Sequence, residues 1–348
     1  MKKQIITAFM LIMAMTAYAG GASEPQTGGT NSETATAQTE TPLSGSRDGS
    51  ALTWTQVPQN EIPGYFGSVA YGNGRFIAVG SGVGGGEGFD MAYSTDGIIW
   101  TDIRDKIPNG TRFESITFCG GKFFAYRWLG MAVSTDGENW TVVDYFSTMR
   151  DDIKGIAYGN GKYVLVTYGG RIMYSTDGIT WTRAANSPFS QYQCIAYGNG
   201  KFVVASYGNR MAYSADGINW TTVAGTYGGI FGDIIFGDGK FVALDLGVIF
   251  YSTDGLTWTE VRLSELSDWY FMDSAYGGGK FVSATNRGRM AYSADGITWM
   301  PVYFDADSRT SIAYGNGRFV AVTSTWDWEN ARGNVPNSNR IAYSNLWE

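Results

Sequence analysis

Histidine is absent from the 348 residues, and the chain has only two cysteines, Cys119 and Cys194, and eight prolines. Without histidine there is no Ser-His-Asp or Cys-His arrangement, and the commonest zinc ligand is missing. Basic side chains are scarce too: 25 Lys and Arg stand against 32 Asp and Glu, a net charge of −7. Neutralising a phosphate backbone needs clustered Lys and Arg, so nucleic acid is not an expected partner. Long apolar runs are missing as well. The longest, residues 5–16, is too short for a bilayer span, which takes about 20 residues. An integral membrane protein is therefore not expected.

That short run has a different meaning at the start of the chain. Lys2 and Lys3 precede it, and Ala17-Tyr18-Ala19 follows with small residues at a cleavage spacing. Residues 1–19 therefore read as a secretory signal peptide cut near Ala19, with export to the periplasm, the cell surface or the outside. No cysteine lies near the cut to carry a lipid. Residues 20–50 are Gly, Ser, Thr, Ala, Glu and Gln with almost nothing apolar. Such a segment buries too little surface to offset its ordering entropy and reads as a disordered linker. Residues 51–348 remain for a fold.

What that stretch does contain is repetition. "VAYGNGRFIAV", "ITFCGGKFFAY", "IAYGNGKYVLV", "IAYGNGKFVVA", "IIFGDGKFVAL", "SAYGGGKFVSA" and "IAYGNGRFVAV" recur, with an aromatic at 71, 118, 158, 197, 236, 276 and 314. Seven units of about 40 residues, built from short alternating runs, specify propeller blades. Within a unit, Gly-Asn-Gly and Asp-Gly separate alternating runs, which is the strongest short-range hairpin signal. Each unit resolves into four strands. The last unit stops at "IAYSNLWE" without room for a fourth, whereas "LTWTQV" at 52–57 matches "LTWTEV" at 256–261 in five of six positions. The expected fold is an all-β, seven-bladed propeller of four-stranded antiparallel blades, its ring closed by an N-terminal strand in the last blade. Cys119 and Cys194 fall on inner strands of blades that are not neighbours, so two buried free thiols are expected.

A second string accompanies the first. S-x-D-G-x-x-W places an aspartate at Asp96, Asp136, Asp177, Asp216, Asp254 and Asp295, each with a Trp four residues on. Carboxylate and hydroxyl accept turn N–H groups, glycine supplies the tight backbone, and the Trp packs between sheets. The pattern resembles the Asp-box (BNR) repeat of the sialidase-like propellers, with one residue fewer between Asp and Gly. The resemblance implies a structural duty for the six acids, and it raises a sialidase-like glycoside hydrolase as the alternative function. That family's upstream Arg-Ile-Pro is Glu61-Ile62-Pro63 here. The four arginines that recur before third strands, Arg171, Arg210, Arg289 and Arg340, follow the repeat and not an asymmetric triad. No catalytic residue, metal site or cofactor is assigned. An assembly scaffold resembling the Asp-box propeller that helps build photosystem II is a third reading.

The two hairpins of each blade share one face and hardly vary. The opposite face carries the loops between second and third strands and the links between blades, and these vary strongly. Its aromatic residues Tyr126, Trp128, Tyr145, Phe146, Trp269, Tyr270, Tyr303, Trp326 and Trp328, with the four arginines, are the candidate binding residues. Variable aromatic loops on a rigid ring are the usual form of a recognition surface. The sequence thus points to a non-enzymatic propeller that binds a protein or carbohydrate through its loop face.

Overall fold

The computed structural model describes residues 52–58, 64–81, 89–106, 113–127, 130–143, 151–208, 210–225, 230–285, 289–303, 309–324 and 339–345. The expected signal peptide and linker lie outside the described residues. Those residues form seven four-stranded sheets, each antiparallel throughout. Blades I to VI run over 68–102, 115–143, 153–183, 192–222, 233–262 and 271–303. Blade VII takes three strands from 309–344 and its outermost from the N-terminal side. There Trp54, Thr55 and Gln56 pair with Ser344, Tyr343 and Ala342. Hydrogen bonds from Val57 N to Ile341 O (2.8 Å) and from Asn345 N to Thr53 O (3.1 Å) extend the seam. First strands touch first strands in unbroken order from blade I to VII and back to I, so the propeller is closed. Full closure leaves no long unpaired edge.

The apolar core is divided among the joints. Seven clusters of buried side chains each join two adjacent blades, for example Val242, Leu244 and Ile249 of blade V with Phe271, Phe281 and Trp299 of blade VI. Alternation along each strand sends successive side chains to opposite joints, so every sheet is apolar on both faces. Two glycines show how tight the joints are. A Cβ on Gly198 would lie 2.0 Å from the Phe236 ring of the next blade, and one on Gly217 would lie 2.5 Å from Val164 of the previous blade. Gly217 also has φ +74°, a conformation that L side chains avoid.

Blade II breaks this rule. Cys119 stands where the other six blades have Gly72, Gly159, Gly198, Gly237, Gly277 and Gly315. The aromatic that covers this position from the next blade, Tyr158, is 38% exposed. Tyr163, at a position that is Phe in every other blade, donates its hydroxyl to Gly120 O at 2.6 Å. Both cysteines are free, as expected; Cys194 is buried, but Cys119 keeps partial exposure.

Candidate functional site

The two ends of the blades use their polar groups differently. At the hairpin end, the Ser94 hydroxyl donates to Asp96 Oδ1 (2.9 Å) and accepts from Gly97 N (2.8 Å). Asp96 Oδ1 also accepts from Ile98 N and Ile99 N at 2.8 and 2.9 Å. The same set recurs around Asp136, Asp177, Asp216, Asp254 and Asp295. Burial raises the pKa of Asp96, Asp136, Asp216 and Asp295, but the converging donors outweigh it and hold all four below the usual carboxylate range. At Asp177 and Asp254 the turn N–H groups dominate outright, taking Asp254 down to about 2. Neighbouring blades are tied here too: Asn160 Nδ2 donates to Ala215 O (2.7 Å) and Asn199 Nδ2 to Thr253 O (2.7 Å). This end has little left to offer a ligand.

The loop end holds the candidate arginines. Arg171 pairs with the buried Asp151, which also accepts from Thr167 Oγ1 (2.6 Å) and Gly169 N (2.7 Å). The exposed Arg210 lies over the Phe189 ring at 4.9 Å. Arg289 lies over Trp269 at 5.4 Å and donates to Asp268 Oδ2 at 3.2 Å. All three positions are equivalent, and each guanidinium is braced by the segment leading into its own blade. Blade I reverses the charge at this position. The buried Asp90 accepts from Tyr65 N at 2.7 Å and from Arg104 at 3.4 Å. Burial pushes the Asp90 carboxyl up despite both donors.

Of the candidate aromatic residues, Tyr126 and Trp269 are buried and Tyr270 is half-buried. Trp128, Tyr145, Phe146, Trp326 and Trp328, with the side chains of Tyr303 and Arg340, lie outside the described residues. Two residues the sequence reading passed over are the exposed ones. Tyr207 is 46% exposed and Leu246 51%, on the loops after the second strands of the adjacent blades IV and V. Both loops are short, Tyr207-Gly208 and Leu246-Gly247, so neither interrupts the repeat in a way that draws notice. Tyr168 holds the equivalent place in blade III, with Lys154 over its ring at 5.4 Å. The arrangement offers a row of apolar surfaces beside a cation, suited to binding and without an obvious acid–base pair.

No family model and no curated protein matches the chain. Solved structures do match in fold. YCF48 from Cyanidioschyzon merolae is 16% identical with a TM-score of 0.58, covering 83% of this chain and 98% of that one. A structure of YCF48 bound to D1 peptide is 15% identical, with a TM-score of 0.58 over 85% and 95% of the two chains. A virginiamycin B lyase from Staphylococcus aureus is 11% identical with a TM-score of 0.66 over 85% and 100%. At these identities the likeness is one of architecture, and the chain is a seven-bladed β-propeller.

Proposed function

We propose that the protein is an exported, non-enzymatic propeller that binds an extended polypeptide segment across the loop ends of blades III to V. One observation carries this reading: Tyr207 and Leu246 stand exposed on adjacent blades beside Arg210, on the face opposite the saturated hairpins. A tyrosine and a leucine supply apolar contact area, and the guanidinium braced on Phe189 supplies a fixed donor for carbonyl or carboxylate groups. That a propeller of similar fold is described as bound to a peptide supports a polypeptide over a carbohydrate. The S-x-D-G-x-x-W turns support kinship with the Asp-box propellers, with the six aspartates as turn residues. Residues 1–19 support export.

The test is a peptide display selection on residues 20–348, followed by the double variant Tyr207→Ser with Leu246→Ser. Two lost anchors at about 1–2 kcal/mol each lower affinity by roughly 30-fold or more. Asn199→Ala on the hairpin face leaves affinity unchanged. Affinity retained in the double variant and lost in Asn199→Ala would place the site on the other face.

A further inference from the structure

The inner ring contains a belt that the repeat hides. Counting four residues back from the end of each first strand gives Ser68, Ser115, Gly155, Cys194, Asp233, Asp273 and Ser311 in blades I to VII. Each lies opposite the same position of its second strand, from Val79 in blade I to Val322 in blade VII. In blade VI a β-bulge between Phe271 and Asp273 re-aims the acid.

Side chains of this belt stitch blade to blade. Ser68 Oγ accepts from Ile116 N of blade II (3.1 Å), and Ser311 Oγ accepts from Val69 N of blade I (3.2 Å). Asp273 Oδ2 accepts from Ile312 N (3.0 Å) and from the Ser311 hydroxyl (2.6 Å) of blade VII. Asp233 accepts from the N–H and hydroxyl of Ser274 in blade VI, and from Ile234 N at 2.8 Å. The same bond thus closes the four successive joints from V/VI to I/II. Two of those joints use neutral serines, and two use neighbouring carboxyls.

The groups around the acids bring no positive charge. Cys194 faces Asp233 from blade IV, and burial first, then Asp233, raises its thiol well above its ordinary value. Tyr126 of blade II, held up to about 12 chiefly by burial, feels Asp273 and Asp152. Asp152 is itself paired with Lys154 at 2.6 Å. None of the main influences on either acid is a basic side chain.

We propose that Asp233 and Asp273 form an acid-tightened latch in the inner ring, keeping a proton between them in the folded state and easing the blade V, VI and VII joints when it leaves. Burial is the main cause for both, and for Asp233 repulsion from Asp273 comes second. Asp233 is raised well above the ordinary value and Asp273 to about 6. The unfolded carboxyls titrate near about 4. Stability from the latch is therefore fully present below about pH 4 and is lost as pH rises through about 6 and beyond.

The experiment uses residues 20–348 and the double variant Asp233→Asn with Asp273→Asn, melted between pH 5 and 8. Asparagine keeps an oxygen for the next blade's N–H but carries no charge. In the natural sequence Tm falls by several degrees from pH 5 to 8. The double variant loses most of that fall and melts higher than the natural sequence at pH 8. An equal fall in both proteins overturns the latch. If the variant does not fold, carboxyl-carbon NMR of the natural sequence decides. A midpoint near or above about 6 supports the latch, whereas aspartate midpoints all at or below about 4 overturn it.

Discussion

The hairpin end and the loop end of these blades put the same side chain into opposite states. Six aspartates in the S-x-D-G-x-x-W turns meet converging N–H donors near the surface and are held ionised. Two aspartates in the axial belt meet fewer donors, deeper burial and each other, and are held toward the protonated form. The difference is one of donor count against desolvation. The hairpin acids contribute stability that is present above about pH 4 and lost as pH falls through their depressed values. The belt pair contributes in the reverse sense. Together they place maximum stability in the mildly acidic range.

Three changes test how far the two ends differ. The largest effect is expected at the seam, where one strand spans both. Deleting residues 20–57 removes the outer strand of blade VII and unpairs Ala342, Tyr343 and Ser344, so the ring opens and cooperative melting is lost. Deleting residues 20–48 leaves Tm within a degree or two. Equal melting of the two truncations would sink the closure argument. Next comes Asp216→Ala, which leaves Ile218 N, Asn219 N and the Asn219 side chain without their acceptor. A loss of about 1–3 kcal/mol at pH 7 is expected by urea denaturation. The loss should shrink below about pH 3, as the acid it removes becomes protonated. A pH-independent loss would show that the ionised carboxylate is not what the turn uses. The smallest effect is at the odd joint. Cys119→Gly restores the pattern of the other blades and lets Tyr158 settle inward. Stability should change by less than about 1 kcal/mol, while Tyr158 becomes less accessible to nitration. Unchanged accessibility would mean that Cys119 does not hold the ring out.

The period, the paired hairpins, the turn aspartates and the closing strand were all legible because each is a local pattern written several times. The working surface was less so. Tyr126 and Trp269 look like loop aromatics in the chain, yet both are buried in clusters that join adjacent blades. Tyr207 and Leu246 sit in loops of a few residues, and their exposure depends on what the neighbouring blades fail to cover. The belt is the clearest case. Asp233 and Asp273 occupy a repeat position that is serine in three other blades, so the substitution shows in an alignment of the units. That two acids 40 positions apart face one another requires the ring, where successive first strands become neighbours.

The closing strand also fixes an orientation. An outer strand runs from the hairpin end toward the loop end, so Leu52 enters blade VII at the hairpin end. The third strand runs the other way, and Ser344 leaves at that same end, with Asn345 hydrogen-bonded to Thr53. Whatever is joined to the described fold at either end therefore attaches on the hairpin side. A protein coupled to a bead, a sensor chip or a fusion partner through its termini would present Tyr207, Leu246 and Arg210 outward, away from the support.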